Sequence, residues 1–170
     1  MDKASIDRAI AHELDARGLK KKSICGLDSA FVLDFDVCPY FLPRVLRKSS
    51  TLYVIDGVVG LVDKKFERVW LENNKPQSNK NKFCFVLNIA NVPDLLSVQH
   101  ISEAAYEDSV VRFCRAVSDF LSAMPRDEAS LAEGFRVGEL CGIPIHKFSG
   151  YAFRAKFEEL KIFVTGISGT

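Results

Sequence analysis

The sequence predicts an α+β fold, with an antiparallel sheet of about four to five strands and helices packed mainly on one face. Segments that alternate apolar and polar residues, as strands do, lie mainly in the first half of the chain, whereas helical spacing dominates the second half. Strands and helices that are segregated in this way favour an antiparallel sheet over alternating βαβ units. The 170 residues match the size of one ordinary domain and contain no repeat, so residues 1–170 are predicted to form a single domain.

A half-buried strand is predicted over residues 30–37, because apolar and acidic side chains alternate along it. Asp34 and Asp36 would then share one face, on the side opposite to the apolar residues. Pro39 ends the predicted strand, since proline cannot donate a hydrogen bond to the ladder. The apolar side of the predicted strand is formed by Phe31, Leu33, Phe35 and Val37.

Residues 51–62 predict a β-hairpin. Two apolar runs flank Asp56-Gly57, and this dipeptide between such runs favours a two-residue type I′ turn. A further strand is predicted over residues 83–89, where the large apolar side chains occupy every second position. These are Phe83, Phe85, Leu87 and Ile89.

Apolar residues elsewhere recur at the spacing of three and four that is typical of helices. Residues 73–82 contain no apolar side chain and predict a mobile loop. Residues 143–146 are a candidate edge strand. The predicted helices cover residues 3–17, which end before Gly18, 64–72 with Asp63 as the cap, about 103–124 with Ser102 as the cap, roughly 128–141, and a last segment that starts at Ser149.

Charge and composition limit the cellular compartments and the classes of partner that we expect for this protein. The formal net charge is +1, which gives no long-range attraction to nucleic acid or to an anionic membrane. No apolar run approaches the roughly 18 residues of a transmembrane helix, and the charged N-terminus lacks the apolar core of a signal peptide. We therefore expect a cytoplasmic protein with no membrane partner. Its five scattered cysteines argue against disulfides, and Cys84 and Cys114 are expected in the core.

Two pairs of residues could carry chemistry. Asp34 and Asp36 could hold a divalent cation or share acid–base work, although a solvent-facing strand surface explains them more simply. Cys141 and His146 could form a nucleophilic pair, although ordinary turn residues explain them more simply. No zinc-binding spacing is present, and we expect no metal, no cofactor and no catalytic residue.

Basic residues cluster in three segments, 20–22, 44–48 and 75–82. If these segments converged, they could follow a phosphate backbone. The lysine-rich stretches contain no interleaved aromatic residues, which nucleic-acid-binding surfaces use for stacking. Solvated loops are therefore the favoured interpretation, and a nucleic-acid partner is not expected.

The helix ending in Gly18-Leu19-Lys20-Lys21-Lys22, the strands at 30–37 and 83–89, and the closing segments around Gly142-Ile143-Pro144 resemble small bacterial α+β domains, some of them immunity proteins. Immunity proteins bind a cognate toxin and block its active site. The resemblance implies a non-catalytic protein-binding module whose partner is a toxin domain. It carries over no functional residue, and the neutral charge differs from the acidic inhibitors of nucleic-acid-binding toxins.

The predicted binding surface is the strand face of Asp34 and Asp36, extended by Tyr40 and Arg44 in the loop expected after it. Tyrosine and arginine are enriched among the residues that contribute most to protein interfaces. Two alternatives remain open: an enzyme whose dispersed site uses Asp34 and Asp36 or Cys141 and His146, and a nucleic-acid-associated module that uses the basic loops.

Overall fold

Six strands pair antiparallel in one sheet of a computed structural model that describes residues 1–24, 27–74, 85–148 and 154–166. The sheet order is β1-β2-β3-β4-β5, and β6 pairs with another part of β4. The strands are β1 Lys20–Ile24, β2 Leu27–Val32, β3 Val37–Arg47, β4 Leu52–Asp63, β5 Val86–Asn88 and β6 His100–Ser102. A separate two-stranded sheet is formed by β7 Glu139–Leu140 and β8 Ile143–Pro144.

Six α-helices within the described residues cover this sheet: α1 Lys3–Ala16, α2 Lys64–Asn73, α3 Pro93–Val98, α4 Tyr106–Ala123, α5 Glu128–Val137 and α6 Arg154–Thr165. Short 3₁₀ turns span Ile89–Asn91, Glu103–Ala105 and Ile145–Lys147. The predicted α+β class, with an antiparallel sheet and helices packed mainly on one face, is confirmed. No helix of the described ranges is both long enough and apolar enough to cross a membrane.

Helices α1 and α2 begin and end close to the predicted positions, whereas α4 begins at Tyr106, after a 3₁₀ turn, and receives no capping hydrogen bond from the expected Ser102. Asp63 caps α2, because its Oδ1 accepts hydrogen bonds from the backbone N–H groups of Lys65 and Phe66. The structure adds α3, whose first residue is Pro93, a position where a missing N–H costs the helix nothing. The predicted loop beyond residue 74, Cys84 and the predicted helix start at Ser149 lie outside the described residues.

The predicted hairpin at Asp56-Gly57 is wrong. Both residues lie inside the continuous strand β4, which pairs with β3 over eleven positions from Val37↔Asp63 to Arg47↔Tyr53. Gly57 lies opposite Pro43 with φ +140°, and a Cβ atom there would be 2.2 Å from the Leu42 carbonyl oxygen. The glycine is therefore used for close approach to the neighbouring strand and not for a turn.

The turn with two positive φ angles, as type I′ requires, lies elsewhere. Cys141 (φ +52°) and Gly142 (φ +73°) connect β7 to β8. The helix predicted to reach residue 141 ends at Val137, because Gly138 adopts a left-handed conformation and caps it. The expected edge strand at 143–146 is limited to β8, which pairs only with β7 within the described residues.

The predicted strand at 30–37 is also corrected. β2 ends at Val32, residues 33–36 reverse the chain, and Pro39, the expected strand end, lies inside β3. Leu61 is the residue opposite Pro39 and donates its N–H away from β3, to the Phe85 carbonyl. The Pro39–Leu61 pair therefore exchanges no ladder hydrogen bond, and the missing N–H of proline costs this ladder nothing.

The two faces of the sheet bury different sets of residues. One face, with side chains such as Phe41 and Val59, joins the apolar stripes of the helices in a single large core. The opposite face holds a smaller cluster of five buried residues: Ala30, Val32, Cys38, Tyr40 and Val62. Consecutive residues of β3 alternate between these clusters, as the strand period of two requires.

Helix α6 is joined to α2 by a buried ion pair. The Lys156 ammonium lies 2.6 Å from a Glu67 carboxylate oxygen, and the two side chains are only 4% and 5% exposed. The same ammonium lies 4.4 Å from the centroid of the Trp70 ring. Burial raises the pKa of Glu67, and the hydrogen bond from Lys156 opposes this rise. Each charge therefore depends on the other to offset its loss of hydration.

Removing one member of this pair should destabilise the protein more than removing both. Glu67→Leu or Lys156→Met alone leaves an unpaired buried charge, and each should lower the free energy of unfolding by about 3–5 kcal/mol. The double variant should recover most of that loss, because no buried charge remains. Urea unfolding followed by circular dichroism measures all three. Additive losses in the double variant would contradict the ion pair.

A substitution at Gly60 tests how closely β4 packs against Phe85 and Tyr40. A Cβ atom at this position would lie 2.2 Å from the Phe85 carbonyl oxygen and 2.6 Å from the Tyr40 hydroxyl. Since a backbone oxygen cannot move aside, Gly60→Ala should cost about 3 kcal/mol of unfolding free energy. The control is Gly134→Ala, whose closest new contact is Cδ2 of the flexible Leu140 side chain. Equal denaturation midpoints for both variants would contradict this packing.

Candidate binding surface at the β2–β3 turn

Asp34 lies in the turn between β2 and β3, where two lysines hold its carboxylate. Lys22 of β1 donates to Oδ2, and Lys64 at the start of α2 donates to Oδ1. These hydrogen bonds, first that of Lys22 and then that of Lys64, lower the pKa of Asp34. Both oxygens already have cationic partners, so the arrangement is that of a structural ion cluster.

Asp36 lies in the same turn but outside this cluster. Its backbone carbonyl accepts a hydrogen bond from the N–H of Lys64 at 3.1 Å, while its side chain is exposed. The two carboxylates are not on one strand face, because the chain reverses between them and the expected strand ends at Val32. Nowhere in the described ranges do three or more acidic, histidine or cysteine side chains converge as a metal site would require.

Phe35 is the residue between the two acids, and its side chain is exposed. The sequence places it on the apolar side of a strand, but the turn directs it outward with 38% of its surface accessible. The Arg126 guanidinium lies 4.7 Å from the centroid of its ring, a distance at which cation–π attraction operates. The Arg126 carbonyl also accepts the N–H of Val37 at 3.1 Å. The loop before α5 therefore contributes to this surface.

We call these six residues the β2–β3 turn surface: Lys22, Asp34, Phe35, Asp36, Lys64 and Arg126. Sequence reasoning identified the two acids but missed Phe35 and Arg126. The alternation of Phe35 with two acids predicted a buried ring, so its exposure had no signal in the local sequence. Nothing in the local sequence indicates Arg126, which is far along the chain.

The other two predicted binding residues do not join this surface. Tyr40 belongs to β3 and not to a loop, and it is 1% exposed within the second apolar cluster. Arg44 also belongs to β3, where it pairs with Asp56 of β4. Arg44 is about 25 Å from Asp36 at the usual rise of a strand. Of the predicted set, only Asp34 and Asp36 are therefore brought together.

The structure places Cys141 and His146 at different cavities. Cys141 lies in the β7–β8 turn and lines a cavity of about 440 Å³, whereas His146 lines a different cavity of about 610 Å³. Partial burial raises the pKa of the Cys141 thiol. A nucleophilic cysteine needs the opposite shift. Cys114, in contrast, is fully buried as expected, and burial raises its pKa to about 12.

Most cations of the described basic segments already have partners. Lys20 pairs with Asp15 at 2.7 Å, Lys22 pairs with Asp34, and the Lys21 ammonium lies 5.9 Å from the centroid of the Phe31 ring. These lysines belong to the edge strand β1 and not to a loop. Charged side chains at a sheet edge discourage pairing with another strand. Segment 75–82 lies outside the described residues.

No family model, no curated protein and no solved structure matches this chain.

The ion pairs of Asp34 predict that the free energy of unfolding depends on pH. Because the pKa of Asp34 is lowered from 3.8 on folding, the stability it contributes is present above pH 3.8 and is lost as the pH falls through the lower folded pKa. Since Asp34 is half-exposed, Asp34→Asn should cost only about 0.5–1 kcal/mol at neutral pH. This cost should shrink as the pH falls through that range and as the salt concentration rises.

Urea unfolding of the wild type and Asp34→Asn between neutral pH and about pH 3 measures the effect. The matched control is Asp36→Asn, which removes a charge from the same turn without removing an ion pair of the described chain. A difference between wild type and Asp34→Asn that does not change with pH would contradict the cluster.

Proposed function

We propose that the protein is a non-catalytic protein-binding module that receives its partner on the β2–β3 turn surface. The observation that carries this proposal is the exposed Phe35 ring stacked on Arg126 and bordered by charged groups. Aromatic residues and arginine are enriched among the few residues that supply most of the energy of an interface. A polar rim around such a centre is the usual anatomy of protein interfaces.

The turn that carries Phe35 is held on several sides. The N–H of Leu33 donates to the Pro39 carbonyl at 3.0 Å, and Val37 and Lys64 donate their N–H groups to the carbonyls of Arg126 and Asp36. A surface that is fixed before binding loses little conformational entropy on association. This pre-organisation supports a role in binding over a role as a passive connection.

The charges of the surface favour a partner of mixed polarity. Lys22 and Lys64 are occupied by Asp34, which leaves the Asp36 carboxylate and the Arg126 guanidinium as the charged groups beside Phe35. We therefore infer a partner with an apolar pocket for the ring and with groups of both signs at its edge. Electrostatic complementarity of this kind gives specificity more than affinity.

The specific form of the proposal is an immunity protein that binds and neutralises a cognate bacterial toxin in the cytoplasm. This form rests on the resemblance of the element order to small immunity domains. It makes the toxin domain a tight, stoichiometric partner, and it makes inhibition a consequence of binding.

The test is co-expression with candidate toxins encoded beside this chain, followed by affinity purification and an assay of toxin activity. The wild type should form a stoichiometric complex and abolish that activity. Phe35→Ala should weaken the complex by at least about 2 kcal/mol, or roughly thirtyfold, because it removes the central ring. Arg126→Ala should weaken it as well.

A matched control is Val137→Ala, which shortens an apolar side chain that is 54% exposed at the end of α5. Its complex should be as tight as that of the wild type. Binding that survives Phe35→Ala and Arg126→Ala would reject this surface. Turnover by the purified protein alone would reject the non-catalytic assignment.

A further inference from the structure

A concave region of about 610 Å³ lies beside α6, remote from the β2–β3 turn in sequence. Its described lining includes three cations: Lys147 from the 3₁₀ turn after β8, and Arg154 and Lys161 from α6. Phe135 of α5 and Phe157 of α6 provide apolar lining between them. We call this region, defined by these five residues, the cationic cleft.

The fold holds both walls of the cleft. Arg154, Phe157 and Lys161 recur at the spacing of three and four that places residues on one side of a helix. The buried Lys156–Glu67 ion pair fixes the first turns of the same helix against α2. On the facing wall, the N–H of Ile145 donates to the Gly138 carbonyl at 2.9 Å and holds the 3₁₀ turn that carries Lys147.

The cations of the cleft are not neutralised by the described chain. Lys147, Arg154 and Lys161 form no ion pair with any described residue, unlike Lys20 and Lys22 of β1. Glu158 is the acidic residue of the described lining, so fixed charges of one sign predominate. A concave wall focuses the field of such charges and attracts small anions.

The side chains that line the cleft favour a phosphate group as the bound anion. Arginine offers a planar fork that matches two oxygens of a phosphate, and lysine adds a compact positive charge. The volume falls within the roughly 300–1,000 Å³ of sites that hold small molecules. Phe135 and Phe157 are only 8% and 5% exposed, so they offer little apolar surface to a ligand, and recognition rests on the anionic group.

We propose that the cationic cleft binds a small phosphorylated ligand, with Lys147, Arg154 and Lys161 holding the phosphate groups. The cleft shares no residue with the β2–β3 turn surface. A phosphorylated compound in this cleft would contact both α5 and α6. Occupancy should therefore also stabilise the docking of α6.

Isothermal titration calorimetry with inorganic pyrophosphate and with ADP tests the proposal on the full chain. Both probes should bind saturably, and their affinity should fall when NaCl is raised from about 50 to about 200 mM, because salt screens the cations. Affinity for ADP that exceeds that for pyrophosphate would show that the organic body contributes. Equal affinities would show that the phosphate groups alone are recognised.

The variant Arg154→Gln/Lys161→Gln should weaken both probes by at least about tenfold. The control Lys48→Gln/Arg115→Gln removes one lysine and one arginine from exposed positions outside the cleft and should stay within about twofold of the wild type. Circular dichroism should show that both variants are folded. Absence of saturable binding, or equal weakening in the two variants, would overturn the proposal.

Discussion

The pairing of β3 with β4 is the constraint on which the rest of the structure depends. Eleven consecutive residue pairs join these strands, and every other strand of the six-stranded sheet attaches to one of them or, through β2, to β3. The ladder accommodates two prolines by placing Pro39 in a pair without hydrogen bonds and Pro43 opposite a glycine. Gly57 and Gly60 leave room for backbone and side-chain atoms that a Cβ would displace.

Helices cover one face of this ladder and thereby set where the functional regions lie. The stripes of α1 and α4 meet the β3–β4 surface in the main core, and the chain then turns back through α5 to α6. A cluster of rings around Phe85, with Phe135, Phe148 and Phe157, joins the last helices to β5. The buried Glu67–Lys156 pair adds a specific charge contact between α2 and α6, so that misplacing α6 would leave a carboxylate and an ammonium without partners.

Some charged side chains of the described residues form ion pairs with one another, whereas others have no charged partner. The two kinds lie at different surfaces of the protein. Asp34 is neutralised by Lys22 and Lys64, so one of the two acids that the sequence offers as a metal or catalytic pair serves to fix a turn. That turn exposes an aromatic ring beside an arginine, which suits protein recognition. Among the described residues, the cations of the cleft beside α6 have no ion-pair partner, which suits an external anion. One chain of near-neutral charge can therefore present two surfaces of different chemistry.

The α+β class, the long helices and the cap at Asp63 could be predicted from the sequence, because apolar spacing and capping chemistry act within a few residues. The sequence did not determine strand pairing. Asp56-Gly57 has the chemistry of a type I′ turn, yet eleven ladder pairs with β3 outweigh that local preference. Within the described residues, two successive positive φ angles occur instead at Cys141 and Gly142. The candidate binding surface could likewise be predicted only in part. Asp34 and Asp36 could be proposed from the sequence. The exposure of Phe35, the burial of Tyr40 and the approach of Arg126 could not, because they arise from contacts between segments that are distant in the chain.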